Sequence, residues 1–377
     1  MKGQTMRPGM FFSLPLLAVL AACGGDFRPE AATAAAVVSY AARCGLPEPS
    51  AEPYRATAPT GGHCIGALEF ALTDPDRAEP FTDAPEDRRS LSVRVLYPAA
   101  PQSQAARMPY GHDAVYAALG LPTGFAAAGH ARAGVPLQVD RPAPVILFSP
   151  GLGNAVETYA GLTEDLASHG YVVVTINHSY VSGPTRLPDG SIAAPVIDGG
   201  SDEVLAELVA DQQHVLDWLE QRNAEQGGPL AGKLDLARVA SYGHSLGGAT
   251  ALGLQRLDGR VKAAVNLDGT VYGNLEEPWS KPFMILDTVH RWEGKVVVDE
   301  TVQTVWRMHR GPAVYQTLPG ACHGDFGDLA RLGRTYNARH PQAPVDIDGE
   351  LFCAPDPVAL ERDVRQRVLA FLAAYLR

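Results

Sequence analysis

Val239-Ala240-Ser241-Tyr242-Gly243-His244-Ser245-Leu246-Gly247-Gly248-Ala249-Thr250 is the stretch that decides how this chain folds. Arg238 to Tyr242 is a short strand-like run, and Leu246 to Leu257 carries a helical pattern. Between them Gly243-His244-Ser245-Leu246-Gly247 fits G-x-S-x-G, a strand-to-helix turn so sharp that bulky neighbours would clash. Such a turn pushes the serine hydroxyl out above a sheet. It also sets the serine at a helix N-terminus, where the dipole favours developing negative charge. The bare pattern is weak, because Gly and Ser are common in turns. Here the flanking strand and helix supply the context it needs, and Ser245 is the candidate nucleophile.

Outward from this turn, short apolar runs alternate with helical patterns. Leu91 to Tyr97 alternates as an edge-type strand should, and Val145 to Phe148 and Tyr171 to Ile176 read as buried strands. Val261 to Leu267, Phe283 to Leu286 and Ala313 to Leu318 continue the series. Helices are expected over Val156 to Ser168, Asp202 to Arg222, Thr301 to Arg310 and Val358 to Leu376. This alternation predicts an α/β fold with a mostly parallel central sheet and helices on both faces. Ligands of such sheets sit at the carboxyl ends of the strands. Residues 45–62 and 74–89, rich in Pro, Gly, Asp and Glu, read as loops. Ser179 to Gly200 reads either as a surface loop or as a lid over the site.

An oxyanion needs amide donors aimed at it. One is expected from the residue after the nucleophile, Leu246. The other is assigned to Leu152, in Phe148-Ser149-Pro150-Gly151-Leu152-Gly153-Asn154, which begins at the end of a buried strand. The acid of a Ser–acid–His set must follow Ser245. Asp268 and Asp287 both end buried strands, and spacing does not choose between them. The base is expected late, at His323 in Cys322-His323-Gly324-Asp325-Phe326, just past the last strand. His290 and His309 lie before that strand, and His178 and His244 precede Ser245, so chain order excludes the latter two as the base. Asp325 and Asp328 read as loop or cap residues.

Together these residues resemble a known family. Gly243 to Thr250, Asn266-Leu267-Asp268-Gly269, Cys322 to Phe326, Phe148 to Gly153 and Asp165 to Tyr171 look like the plasma-type (group VII) platelet-activating factor acetylhydrolases and their bacterial relatives. The resemblance runs from about Leu91 to Phe326, and Pro150 stands where that family usually has His. It implies an α/β-hydrolase fold and a serine ester hydrolase with catalytic residues Ser245, Asp268 and His323, since the family's acid follows the sixth strand. It also implies Leu152 and Leu246 as oxyanion donors. The implied substrates are small-molecule esters, among them short-chain acyl groups of phospholipids. No cofactor and no metal are expected. A polyester or dienelactone-type hydrolase, with Asp287 as acid, is an alternative. A non-catalytic surface-binding lipoprotein is the alternative of another class.

The formal charge of −11 and the lack of any basic run disfavour nucleic acid as a partner. Lys2 and Arg7, an apolar run from Met10 to Ala22, and then Cys23-Gly24-Gly25 read as an export signal too short to span a bilayer. Leu20-Ala21-Ala22-Cys23 looks like the lipobox of bacterial lipoproteins, which implies cleavage before Cys23 and its acylation. The expected organisation is a signal over 1–22, a lipid-anchored tether and extension over 23–89, and a catalytic domain over 90–377. The expected location is the periplasmic face or cell surface of a bacterial membrane. Of the five Cys, Cys44, Cys64, Cys322 and Cys353 then remain. Their even number in an exported chain suggests two disulfides, and three pairings are possible. Sequence neighbours, Cys44–Cys64 and Cys322–Cys353, are the expected pairs because each closes a modest loop. None has zinc-type spacing.

Overall fold

The computed structural model describes residues 38–47, 54–101, 104–113, 115, 127–197, 199–275, 278–292, 295–347 and 351–376. The expected signal over 1–22, Cys23 and the tether lie outside them. A short helix α1 (Tyr40–Arg43) precedes strands β1 (Cys64–Ala78), β2 (Arg88–Ala99), β3 (Arg107–Pro109), β4 (Ala128–Ala133) and β5 (Ala143–Ser149). Helix α2 (Ala160–Ser168) leads to β6 (Val172–His178), the small hairpin β7 (Thr185–Arg186) and β8 (Ile192–Ala193), and the long α3 (Asp202–Ala224). Then come β9 (Leu234–His244), α4 (Leu246–Leu257), β10 (Val261–Leu267) and β11 (Phe283–Asp287). A second hairpin, β12 (Arg291–Trp292) and β13 (Lys295–Val296), precedes α5 (Glu300–Met308) and β14 (Ala313–Thr317). Helices α6 (Leu329–Arg339) and α7 (Pro357–Tyr375) close the chain.

Ten strands form one sheet in the order β14-β11-β10-β9-β5-β6-β2-β1-β4-β3. The run from β14 to β6 is parallel throughout, and β2 and β1 continue it antiparallel. This is the α/β-hydrolase architecture expected from the strand–helix alternation. After β5 the chain steps to β6 on one side, then returns to place β9 on the other. The crevice between the carboxyl ends of β5 and β9 is therefore the topological switch point, where such sheets bind ligands.

The period of two along each strand separates two cores. Ile146 and Phe148 of β5 point to the face covered by α2 and α7, with Leu162, Leu166, Val368 and Leu372. Val145 and Leu147 point to the opposite face, against Val209, Leu216 and Leu219 of α3 and Leu254 of α4. A strand buried on both faces reads as a continuous apolar run, which is why β5 and β6 were legible. Burial of each such side chain contributes roughly 1.5–3 kcal/mol. The covering helices start where side chains satisfy their free amides. Ser201 accepts from Val204 N at the start of α3, and Asp356 accepts from Val358 and Ala359 at the start of α7, where Pro357 opens the helix.

Several elements differ from the sequence expectation, and the strand read as edge-type, β2, lies inside the sheet between β6 and β1, its alternation set by neighbours on both sides. The sheet already begins at Cys64, inside the stretch read as extension, and Asp74 to Ala78 and Arg88 lie in strands rather than loops. Charged residues are tolerated there because they pair: Arg77 reaches Glu207 and Asp211, and Arg89 reaches Glu79 and Asp211. Val156 to Tyr159 is a 3-10 turn ahead of α2 rather than part of it. Helix α6 was not read, its apolar positions being few. Both disulfides join sequence neighbours, Cys44–Cys64 and Cys322–Cys353. Among the described residues no helix is long and apolar enough to cross a membrane.

Candidate active site

Strand β9 ends at His244, and α4 starts at Leu246, so Ser245 alone makes the turn, with φ 55° and ψ −125°. Positive φ on a residue with a side chain costs of order 1–3 kcal/mol and persists only where the surroundings enforce it. Here Ser245 N donates to Leu267 O at 2.8 Å and Ser245 O accepts from Ala249 N at 3.0 Å. The flanking glycines are obligatory. A Cβ at Gly243 would collide with the backbone of Gly247, and one at Gly247 with the carbonyls of Ser149 and Pro150.

His323 follows β14 and opens a 3-10 turn, His323–Phe326. Its Nε2 lies 3.0 Å from Ser245 Oγ, and its Nδ1 lies 2.6 Å from Asp268 Oδ2. Asp268 follows β10, also with positive φ (55°). The carboxylate is buried and anchored by Thr288, whose N donates to Oδ1 at 2.6 Å and whose Oγ1 donates to Oδ2 at 2.9 Å. Burial opposes its charge, but hydrogen bonds from His290 and His323 outweigh that and hold it well below the usual carboxylate range. Asp287, the rival from sequence, takes the Tyr315 hydroxyl at 3.0 Å and His290 Nε2 at 3.2 Å. Burial and the adjacent Asp268 raise its pKa.

Sequence reasoning missed three supporting residues. His290 Nε2 sits 3.2 Å from one oxygen of Asp268 and 3.2 Å from one of Asp287. Those hydrogen bonds push its pKa up to about 10, so the imidazole is a fixed cation beside the two acids. His244, excluded as a base by chain order, packs against His323 with ring centroids 4.7 Å apart. Its Nε2 lies 2.8 Å from the His323 carbonyl, which can only accept, so that nitrogen carries the proton; Nδ1 accepts from Tyr159 Oη at 2.7 Å. Burial and the nearby His323 bring His244 down to about 3, so it is neutral and serves as a fixed donor. Tyr159 is the third, and only the fold brings it to His244. His309 lies away from this cluster, its ring 4.3 Å from that of Phe283. Asp325 accepts from the amides of Cys322, Cys353 and Ala354, which with the Cys322–Cys353 disulfide braces the loop that carries His323.

The loop after β5 passes close to Ser245, since a Cβ at Gly151 would lie 3.1 Å from that of Ser245. Its amides sort by elimination. Pro150 has none, Gly151 N donates to Tyr159 Oη at 3.5 Å, Gly153 N to Val181 O at 3.0 Å, and Asn154 N to Gly151 O at 3.0 Å. Among the described residues nothing takes the Leu152 N–H, which leaves it for a ligand. Leu246 opens α4, so its N–H has no partner within the helix. Described residues of the loop after β6 form one wall here: Gly183 N donates to Asn154 O, and Leu152 and Ile197 both pack against an apolar cluster that includes Val181 and Leu246.

Asp268, Asp287 and His290 also bring ligand-type atoms within 4.8 Å of one another, but the hydrogen bonds above already use those atoms. The paired Cys322 and Cys353 form a disulfide beside Asp325.

Residues 126–185, from β4 through the loop after β5 to β7, match the family of platelet-activating factor acetylhydrolase, isoform II. The chain is 30% identical over 135 residues to a probable 1-alkyl-2-acetylglycerophosphocholine esterase of Arthroderma benhamiae, covering 35% of this chain and 32% of that protein. It is 28% identical over 233 residues to the platelet-activating factor acetylhydrolase of Canis lupus familiaris, covering 52% and 50%. The matches thus span half or less of these relatives' length. A solved structure, a ferulic acid esterase from Streptomyces cinnamoneus, superposes with a TM-score of 0.73 at 27% identity, over 86% of this chain and 94% of that one. In sequence and in fold, then, the chain is similar to carboxylic ester hydrolases of the platelet-activating factor acetylhydrolase and ferulic acid esterase kinds.

Proposed function

We propose that this chain is a carboxylic ester hydrolase working through an acyl-enzyme on Ser245. The observation that carries this is the continuous Asp268–His323–Ser245 relay, at 2.6 Å and 3.0 Å, beside the free amides of Leu152 and Leu246. Ser245 Oγ attacks the ester carbonyl while His323 Nε2 takes its proton. Asp268 holds the imidazole with Nδ1 protonated and stabilises the imidazolium that forms. The oxyanion is held by the two amides, and His323 returns the proton to the leaving alcohol. Water activated by His323 then releases the acid. Ser245→Ala is expected to abolish ester hydrolysis and labelling by a fluorophosphonate. Unchanged turnover in that variant rejects the mechanism.

The substrate reading is an ester of a short acyl chain, including short acyl groups on phospholipids, supported by the names of the sequence relatives. A second reading, an ester of an aromatic acid, is favoured by the structural neighbour, which the chain covers far more completely. Parallel kcat/KM measurements on a short-acyl phospholipid, p-nitrophenyl esters of rising chain length and methyl ferulate separate the two. The proposal extends to Cys23 as a lipid-bearing N-terminus that holds the enzyme at a bacterial membrane. Palmitate labelling lost in Cys23→Ser is the expected result, and labelling that survives it rejects the anchor.

A further inference from the structure

A second serine–histidine–carboxylate set lies in this molecule. Ser149 Oγ is 2.8 Å from His178 Nε2, and His178 Nδ1 is 2.8 Å from Asp211 Oδ2. All three residues are 0% exposed. No ester can reach Ser149, so this set cannot repeat the chemistry of Ser245.

Its protonation can be read from its partners. Arg89 grips Asp211 from Nε at 3.0 Å and Nη2 at 2.7 Å, and Arg77 adds a bond at 2.7 Å. Burial works against the charge on Asp211, but Arg89 and His178 outweigh it, and the group stays ionised. An ionised Asp211 accepts, so His178 Nδ1 carries the proton and Nε2 accepts from Ser149 Oγ–H. The Ser149 oxygen accepts in turn from Gln212 Nε2 at 2.8 Å, and Gln212 Oε1 accepts from Ser241 Oγ at 2.8 Å. The result is one directed chain, Ser241 to Gln212 to Ser149 to His178 to Asp211, in which every link has its donor and acceptor. Such a buried, fully satisfied network is rigid.

What it holds is the site. Ser149 is the last residue of β5, three residues before Leu152, and Ser241 lies on β9, four before Ser245. Gln212 therefore ties the strand that presents the oxyanion loop to the strand that presents the nucleophile. His178 acts on the other flank as well. Its carbonyl accepts from Val181 N and Ser182 N in a turn whose Val181 O receives Gly153 N. The Leu152 amide is thus fixed from Ser149 on one side and Gly153 on the other.

We propose that Ser149, His178 and Gln212 are positioning residues for the oxyanion hole, setting the Leu152 amide against Ser245 through this sealed network. This rests on the esterase reading above. The test uses the full chain with Ser149→Ala and Gln212→Met, assayed on p-nitrophenyl acetate, with phenylboronic acid as the tetrahedral analogue. Losing an oxyanion donor outright costs roughly 10²- to 10³-fold in kcat, and a displaced one less, so a fall of about 10- to 100-fold is expected. KM should stay within about twofold while the Ki of the boronic acid weakens by the same factor as kcat falls. The acid limb of the pH profile should not move, because the Asp268–His323 pair is untouched. If Ser149→Ala folds poorly, Ser241→Ala at the far end of the chain is expected to show the same pattern at about threefold. Folded variants with unchanged kcat overturn the proposal, as does a fall in kcat with boronic acid affinity intact. A wild-type chain that fluorophosphonate fails to label, and a Ser245→Ala variant that stays active, would instead sink the esterase reading and this proposal with it.

Discussion

Replacing Asp268 by Asn exchanges one oxygen for an amide nitrogen, and the surroundings dictate which. Thr288 N–H points at Asp268 Oδ1 from 2.6 Å, and a backbone amide can only donate. The asparagine oxygen must take that place, so its NH2 turns to the position now held by Oδ2, 2.6 Å from His323 Nδ1. A ring nitrogen facing an NH2 must accept, and the imidazole proton therefore moves to Nε2. That proton then points at Ser245 Oγ, 3.0 Å away, and the group that should accept the hydroxyl proton has become a donor. Loss of the working tautomer is worth about 10⁴-fold in kcat, or roughly 5.4 kcal/mol of barrier. Asp287→Asn disturbs the bonds from Tyr315, His290 and Thr288 N, none of which reaches His323 or Ser245, and is expected to cost less than about tenfold. Steady-state hydrolysis of p-nitrophenyl acetate measures both, with circular dichroism to show that each variant is folded. Activity of Asp268→Asn within tenfold of wild type, or equal losses in the two variants, would refute the tautomer argument and return Asp287 as the acid.

Other consequences can be checked by simple means. His290 has its pKa raised by Asp268 and Asp287 to about 10, so its contribution to stability is fully present below the unfolded value near 6.5 and is lost as pH rises through about 10. The Tm difference between wild type and His290→Gln should accordingly be largest near pH 6 and shrink toward pH 10; a gap that widens with pH contradicts the cation assignment. Tyr159→Phe removes the donor to His244 Nδ1 and leaves a buried acceptor short, for a loss of about 1–3 kcal/mol in denaturant unfolding and a fall in kcat as the His323 loop loosens. An unchanged unfolding midpoint there would deny the Tyr159–His244–His323 brace. Cys44→Ser should lower stability by about 3 kcal/mol in denaturant unfolding, the value for a loop of this length, with the separation of 20 residues setting the scale; an unchanged midpoint contradicts it.

The fold was legible because its strands are buried on both faces and its key turn leaves few choices. Val145 to Phe148 and Val172 to Ile176 are apolar without interruption, and Gly243 and Gly247 are where only hydrogen fits. The stretches that escaped reading are the polar ones. Asp74, Arg77, Glu79 and Arg89 look like loop residues until the fold pairs them: Arg77 with Asp74 and Arg89 with Glu79 nearby, and both arginines with Asp211 on a helix far along the chain. The acid shows the same limit at finer grain. Asp268 and Asp287 end adjacent parallel strands, with Asp268 N bonded to Leu286 O, so along the sequence they are equivalent. What separates them is the left-handed backbone at Asp268, which turns that carboxylate to His323 and Thr288, and the Tyr315 hydroxyl, which occupies Asp287 instead. Chain order makes His323 the candidate base by ruling out His178 and His244, yet it says nothing of what those two do. Both are buried imidazoles in fixed tautomers, each bonded to a group that flanks the site: His244 to the His323 carbonyl, His178 to the serine ahead of the oxyanion loop. Residues that react sit in turns whose geometry constrains sequence, whereas residues that hold them need only the right atom at the right place in space. The reacting half of an active site can therefore be read from a single chain, and the holding half becomes visible only when strands distant in sequence are laid side by side.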